Sequence, residues 1–168
     1  MHSKLFCMAP LAIMFVLLLA PPDSAHSQQS PSTATDEAAV RALISKWVEA
    51  YRNLDAKKLA ALELPNVQTI DRFGDPHLPA GRNENEKLWS ETFENISPSF
   101  TPPHVNIEHI GFLGPDVAVV QASWQFVDGI LLVGGDRIAP YSEIDTFVVT
   151  KTDKTWLCAL HIMQEKKP

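Results

Sequence analysis

The sequence predicts an α+β fold in which helices come first and an antiparallel sheet follows. Apolar residues recur at helical spacing in the first half of the chain, as in Leu43, Trp47 and Tyr51. The last third carries runs of β-branched and aromatic residues separated by turn residues. Its final strand is apolar at both alternations, so we expect helices on one face of the sheet and a second subunit on the other.

The first two helices are adjacent. We expect a helix over residues 35–54, N-capped by Thr35 and with acidic residues in its first turn. A shorter helix over residues 56–64 should begin at the cap Asp55 and end before Pro65, because the residue that precedes proline disfavours helical geometry.

The middle of the chain links the helices to the sheet. A short strand is predicted at residues 67–71, and the two Gly and two Pro of residues 73–81 predict a loop. A third helix should follow, for which Asn83 and Glu86 resemble a capping pair. The prolines of residues 97–103 exclude regular structure there.

The last third is predicted to form four strands, at residues 105–110, 117–127, 142–150 and 156–163. Residues 128–141, which hold three glycines, form either a long hairpin loop or an extended pair of strand ends. On the final strand, Trp156 and Cys158 should share one face with Ile162, while His161 and Met163 mark the other.

The length, composition and net charge of the chain limit which classes of function are expected. The 168 residues suffice for one domain, and 45% of them are apolar, which is typical of a globular chain. The net charge is −6. Nucleic-acid and anionic-membrane surfaces need clustered cations, so we expect neither as a partner.

Residues 1–27 resemble an export signal: a basic start, a 16-residue stretch over 5–20 that is almost all apolar, and small residues before Gln28. A retained anchor is the alternative, although 16 residues are short for a membrane span. We therefore expect a flexible tether at 28–34, one domain over 35–165, and a secreted or periplasmic protein. Cys158 is then the single cysteine, which excludes an internal disulfide and favours a small buried apolar residue over a reactive thiol.

Several local motifs carry a family resemblance. They are DEAAVRALI at 36–44, WVEAYRNLD at 47–55, IDRFG at 70–74, GR at 81–82, LGPDVAVV at 113–120 and WLCALH at 156–161. In this combination the chain resembles the NTF2-like superfamily, and within it the SnoaL-like or DUF4440-type proteins. The resemblance implies a cystatin-like cone, in which a curved antiparallel sheet wraps three helices around an apolar pocket. It also implies a homodimer formed through the outer face of the sheet.

Asp71 is the first candidate for chemistry. By position it resembles the general-base aspartate of ketosteroid isomerases, and desolvation at a pocket mouth makes a carboxylate a better base. The alternative is a strand-end aspartate that bonds loop amides or a neighbouring arginine. The isomerase oxyanion hole has no counterpart, because its tyrosine position falls on Trp47 and its acid position near Thr146, with Asp145 expected to face the opposite side. We therefore do not expect ketosteroid isomerisation.

His161 is the second candidate, since it should face the pocket and its ordinary pKa suits an acid or a base. The alternative is a core histidine bonded to a backbone carbonyl or a threonine. Together, Asp71 and His161 predict a cofactor-free isomerase, cyclase or hydratase. The other hypothesis, which we rank slightly higher, is a pocket that binds a small hydrophobic molecule without catalysis.

The predicted ligand-binding side chains are large and mostly aromatic: Trp47, Tyr51, Trp89, Phe93, Trp124 and Met163. Such a wall favours a flat or apolar ligand. We expect no metal site, since there is no His-Glu-x-x-His run and no second cysteine beside Cys158. No cofactor motif is present either.

Overall fold

The computed structural model describes residues 34–72, 76–77 and 81–166. The predicted export signal lies outside these residues, as does the predicted tether except for its last residue. No helix among the described residues is both long and apolar enough to cross a bilayer.

The described residues contain three helices, as predicted: α1 (Ala34–Arg52), α2 (Ala56–Ala60) and α3 (Arg82–Glu94). Asp55 caps α2, since its side-chain oxygen accepts a hydrogen bond of 2.9 Å from the backbone N–H of Lys58. The predicted capping pair of α3 is wrong. Gly81 is the N-cap, without a side-chain hydrogen bond, and its φ of 142° suits glycine.

In the part of the chain that the structure describes, eight strands follow or separate the helices. They are β1 (Glu63–Ile70), β2 (Pro76–His77), β3 (His104–Gly114), β4 (Val117–Phe126), β5 (Ile130–Leu131), β6 (Arg137–Ile138), β7 (Tyr141–Thr152) and β8 (Thr155–Glu165). Six of them form one sheet in the order β2-β1-β8-β7-β4-β3. The predicted α+β class and cystatin-like architecture are confirmed. The expectation of a purely antiparallel sheet is wrong, because β1 pairs with β8 in parallel.

Strand β1 begins earlier than predicted and contains Pro65, which we expected to follow α2 directly. The ladder between β1 and β8 shifts its register between Glu63 and Gln68. Proline has no N–H to donate, and it is tolerated in a strand where the ladder is interrupted in this way. Helix α2 therefore ends at Ala60, and the chain enters the sheet two residues before the proline.

Strand β8 contains a β-bulge that changes which side chains face the helices. Val148 pairs with Leu160 but Val149 pairs with Cys158, so one extra residue of β8 lies between them. Trp156 and Cys158 therefore face the helices, as His161 does beyond the bulge, and all three are buried. The prediction that Cys158 shares a face with Ile162 is wrong for this reason. We call the helix-covered side of the sheet the inner face and the other side the outer face.

One end of the inner face is packed solid. Phe112 and Trp156 meet edge to face there, with ring centroids 5.9 Å apart, and Val149 and Cys158 are buried beside them. Asp36 of α1 closes this end, because its Oδ1 lies 2.6 Å from Nζ of Lys151 and accepts a hydrogen bond of 3.3 Å from Nε1 of Trp156. We call this part of the molecule the closed end.

The segment between β4 and β7, for which a long hairpin loop or an extended pair of strand ends was expected, instead contains two short strands of its own. Strands β5 and β6 pair with each other and form a separate two-stranded sheet. Leu132, just after β5, forms an isolated bridge with Ile96 at the end of α3. The hairpin is thereby attached to α3 at the opposite end of the inner face.

Candidate functional site

A cavity of about 430 Å³ occupies the end of the inner face opposite the closed end. Its walls come from α1, α3, the end of β1, the β5–β6 hairpin and strands β4, β7 and β8. We call this the open end. Its lining residues are Trp47, Tyr51, Asp71, Arg72, Leu88, Trp89, Thr92, Asn95, Ile96, Trp124, Ile130, Leu132, Ile138, Tyr141, Glu143, Asp145, His161 and Met163.

Tryptophan and tyrosine rings form a large part of the cavity wall, and Trp47 packs against three of the others. The Trp47 ring centroid is 5.6 Å from those of Trp89 and Trp124, both nearly perpendicular to it. Tyr51, one helical turn along α1, lies almost parallel to Trp47 at 6.2 Å. Helical periodicity therefore brings both α1 rings to the same cavity.

Five of the six predicted ligand-binding residues line the cavity, and Phe93 does not. Phe93 is buried behind the wall, with its ring centroid 5.5 Å from those of both Tyr51 and Trp89. Phe93 packs against these two rings on the side away from the cavity and so helps to hold them in position. The role of each lining residue toward a ligand stays a prediction.

A buried carboxyl–imidazole pair forms part of the cavity lining. His161 Nε2 lies 2.8 Å from Asp145 Oδ2, and the exposed fractions of these two side chains are 0% and 2%. The His161 ring stacks on Phe147 with 4.5 Å between centroids and meets Trp47 at 4.8 Å. Its orientation is therefore fixed from three sides.

The sequence analysis did not place Asp145 in the site, and its expected orientation is wrong. Asp145 shares the inner face with Phe147, because the two residues are two apart on β7. Register pairs Phe147 with His161, so Asp145 lies one alternation further along the same face. The signal that could have revealed this was the pair of large apolar residues Phe147 and Val149, which share the alternation of Asp145 on β7 and mark the inner face.

Glu143 lies on the same alternation of β7 as Asp145, toward the rim of the cavity, and the sequence analysis did not predict it in the site either. Burial, and then the nearby Asp145 carboxyl, raise the pKa of Glu143 from 4.5 to about 8. Burial likewise raises the pKa of Asp145, an effect that the adjacent His161 partly offsets. The inner face of β7 thus presents two carboxyl groups whose ionised forms are disfavoured by desolvation.

Asp71 lies directly after β1 and is partly buried at the edge of the cavity. Arg72 follows it, and the Arg72 guanidinium carbon lies 4.8 Å from the centroid of the Tyr141 ring. The structure therefore brings Asp71 and His161 to one cavity, with Trp47 and Trp89 in its wall. It pairs His161 with Asp145 rather than with Asp71.

A second buried polar group lies behind His161, on β1 and α3. Thr69, the register partner of His161, donates a hydrogen bond of 3.1 Å to Asn85 Oδ1, and Asn85 donates one of 2.7 Å to Glu63 Oε1. Glu63 is fully buried, and burial raises its pKa. Within the described residues, no group of three or more His, Cys, Asp or Glu side chains is arranged to hold a metal ion.

Comparison with known proteins identifies the family. The model of the SnoaL-like domain family matches residues 40–161, which is most of the chain and extends from within α1 to His161. The chain belongs to the SnoaL-like domain family. Among curated proteins, none matches this SnoaL-like chain significantly.

Solved structures show the same fold as this SnoaL-like domain. A ketosteroid isomerase-like protein from Erwinia carotovora atroseptica SCRI1043 superposes with a TM-score of 0.67 at 14% identity, covering 78% of this chain and 96% of its own. A cystatin-like domain of unknown function from Nostoc punctiforme PCC 73102 gives 0.66 at 19% identity, with coverages of 82% and 81%.

A third similar structure is a putative calcium/calmodulin dependent protein kinase II association domain from Xanthomonas campestris. Its TM-score is 0.58 at 22% identity, and the coverage is 82% of this chain and 94% of that one. At these identities the likeness establishes the NTF2-like fold alone, since this fold hosts unrelated activities. The function has to be argued from the site.

Proposed function

We propose that this SnoaL-like domain binds a small, largely apolar molecule in the cavity at its open end. The observation that carries the proposal is a volume of about 430 Å³ with three indole rings and a few polar groups in its wall. Small-molecule sites have this size and this mixture of aromatic surface with a few placed polar groups. Because His161 is fully buried against Trp47, Phe147 and Asp145, binding is the function that the geometry supports best.

Mass spectrometry of small molecules that co-purify with the protein tests this proposal. Met163→Trp should fill part of the cavity and abolish retention of the molecule, since Met163 belongs to the lining. Gln164→Trp is the matched control, because Gln164 is exposed and lies on the other alternation of β8. Equal retention by both variants would contradict binding in this cavity.

The second candidate function is cofactor-free proton transfer on the bound molecule, of isomerase, cyclase or hydratase type. It is favoured by two acid–base groups, Asp71 and His161, lining one cavity, and by Asp145, which holds the imidazole. Asp71 would remove a proton, and His161, held by Asp145, would return one. The ring nitrogen left for this exchange is Nδ1, which is buried and has no partner among the described residues.

Incubation of the co-purified molecule with the protein in D₂O tests proton transfer. Catalysis should place deuterium on a carbon of the molecule, and Asp71→Asn should abolish the exchange while leaving the free energy of unfolding nearly unchanged. If the wild type leaves the molecule unlabelled, the site binds without proton transfer.

We further propose that the chain is exported and that its outer sheet face forms a homodimer. The basis for export is the signal-like pattern of residues 1–27, and N-terminal sequencing that found Met1 on membrane-bound protein would contradict it.

The basis for the dimer is a partly exposed apolar stripe on the outer face, formed by Ile144, Val148, Leu160 and Ile162. Ile162→Glu should give monomers in sedimentation at micromolar concentration, and a parent that is already monomeric would refute the dimer.

A further inference from the structure

Glu143 is a buried acid whose side chain has no hydrogen bond to any residue that the structure describes. Its side chain is 6% exposed and lines the cavity, and it forms no hydrogen bond or ion pair with any residue that the structure describes. Buried polar groups in proteins are almost always hydrogen-bonded, because an unmet carboxyl keeps the full cost of its desolvation. A buried acid that faces a cavity in this state calls for a donor from a ligand.

The charged groups around Glu143 favour a cationic donor. Asp145 lies two residues along β7, Glu165 is its register partner on β8, and Arg72 faces it from the end of β1. Asp71 adds a third carboxyl to the cavity, whereas the imidazole of His161 is already engaged with Asp145. An anionic ligand would therefore meet three carboxyl groups and one guanidinium in the lining, whereas a cation beside Glu143 would stabilise the ionised form of that acid.

The aromatic wall favours the same ligand class for a different reason. The faces of tryptophan and tyrosine rings carry negative electrostatic potential and attract cations, most strongly where water is excluded. Trp47, Trp89, Trp124 and Tyr51 surround the cavity, and Tyr141 already holds the Arg72 guanidinium against its ring. The cavity therefore combines apolar surface, ring faces and an unpartnered acid.

We propose that the ligand of this cavity is an organic cation, an amine or quaternary ammonium whose charged group lies beside Glu143 and whose apolar body packs among the indole rings. This inference rests on the proposed small-molecule binding. The raised pKa of Glu143, about 8, adds a measurable consequence. A bound cation favours the ionised acid, so binding below pH 8 releases a proton.

The test uses three probes of nearly equal shape. They are trimethyl(2-phenylethyl)ammonium, whose charge does not titrate, its neutral carbon isostere (3,3-dimethylbutyl)benzene, and the anion 3-phenylpropionate. Three of the four tryptophans line the cavity, so intrinsic fluorescence reports occupancy. We expect the cation to bind at least about tenfold more tightly than either other probe at pH 8, which corresponds to a difference of about 1.4 kcal/mol.

The pH series and one substitution identify Glu143 as the group responsible. The affinity for the cation should rise by about tenfold per pH unit up to pH 8 and level off above it. Glu143→Gln should remove this dependence and lower the affinity at pH 8 by about tenfold or more, without changing binding of the neutral isostere. Glu91→Gln, at an exposed position of α3, is the matched control for loss of one charge and should behave as the wild type.

The outcomes separate this inference from the function on which it rests. If the neutral isostere or the anion binds as tightly as the cation, or if Glu143→Gln leaves the cation affinity unchanged, the ligand class is wrong and the binding cavity stands. If none of the three probes changes the fluorescence at millimolar concentration, both the ligand class and the apolar binding site are overturned.

Discussion

The two ends of the inner face are built from the same strands and differ in what fills them. At the closed end, β7 and β8 contribute Val149, Trp156 and Cys158, which are buried in the apolar core. At the open end, the same strands contribute Glu143, Asp145 and His161 around a cavity of about 430 Å³. In this SnoaL-like domain the buried core and the proposed binding cavity are therefore separated along one pair of strands.

The largest expected difference in stability follows from removing a large side chain from each end of the inner face. Trp156→Ala should lower the free energy of unfolding by about 3–5 kcal/mol, because the packed closed end cannot fill the space left behind. Trp89→Ala removes an equal volume beside an existing cavity, so its cost should be less than half as large. Urea denaturation of both variants measures the difference, and equal losses would show that the open end is as tightly packed as the closed end.

A similarly large effect is expected from Asp145→Ala, which leaves His161 buried without its partner. Removing one member of a buried pair costs about 3–5 kcal/mol, whereas replacing both members with apolar groups is often neutral. The double variant Asp145→Leu with His161→Phe should therefore recover most of the lost stability in thermal unfolding. A double variant no more stable than Asp145→Ala would mean that the pair stabilises the fold rather than serving the cavity.

The pH dependence of the free energy of unfolding tests whether Glu143 is buried at the open end. Its folded pKa of about 8 lies above the ordinary value of 4.5, so between these values the folded state holds a proton that the unfolded state has released. Its contribution to stability is therefore complete below pH 4.5 and is lost as the pH rises toward 8, by about 1.4 kcal/mol per pH unit at most. Glu143→Gln should be more stable than the wild type at pH 8, with the two curves converging near pH 4.5. Parallel curves would contradict a buried, unpartnered Glu143.

The smallest effects are expected where α1 meets the closed end. Asp36→Ala loses its contacts with Lys151 and Trp156, which are partly buried, and should cost about 1.5–3 kcal/mol. Glu37→Ala breaks only the exposed ion pair with Arg41 and should cost less than about 0.5 kcal/mol. Guanidinium denaturation distinguishes them, and indistinguishable midpoints would mean that the Asp36 contacts do not hold the helix to the sheet.

The comparison also explains how far the sequence could be used to predict this structure. Element types followed from periodicity, and α1, α3 and the four long strands lie close to their predicted positions. The parallel pairing of β1 with β8 did not follow, because no local pattern specifies which strand a distant segment will join. Pro65 was taken as the end of a helix, since only the interrupted ladder makes it acceptable within a strand.

In the candidate site, His161 was predicted to face the helices and does so. The prediction assumed simple alternation along the whole of β8, which the bulge interrupts. Simple alternation along β8 would place Trp156 and Cys158 on the opposite face from His161, and the bulge places them on the same one. Bulges depend on how two strands fit together, and they leave no distinct signature in one strand alone. Asp145 was missed for a related reason, because its phase on β7 was inferred from the resemblance and not from Phe147 and Val149.

The bulge in β8 determines where this strand can lose a residue. Removing Ala159, the extra residue of the bulge, would restore regular alternation and leave Cys158 and His161 both on the inner face. Removing a residue outside the bulge, such as Leu157, would instead turn the side chains on one side of the deletion to the opposite face of the sheet. We therefore expect this strand to tolerate many exchanges of one side chain for another, but a change in the number of residues only at the bulge.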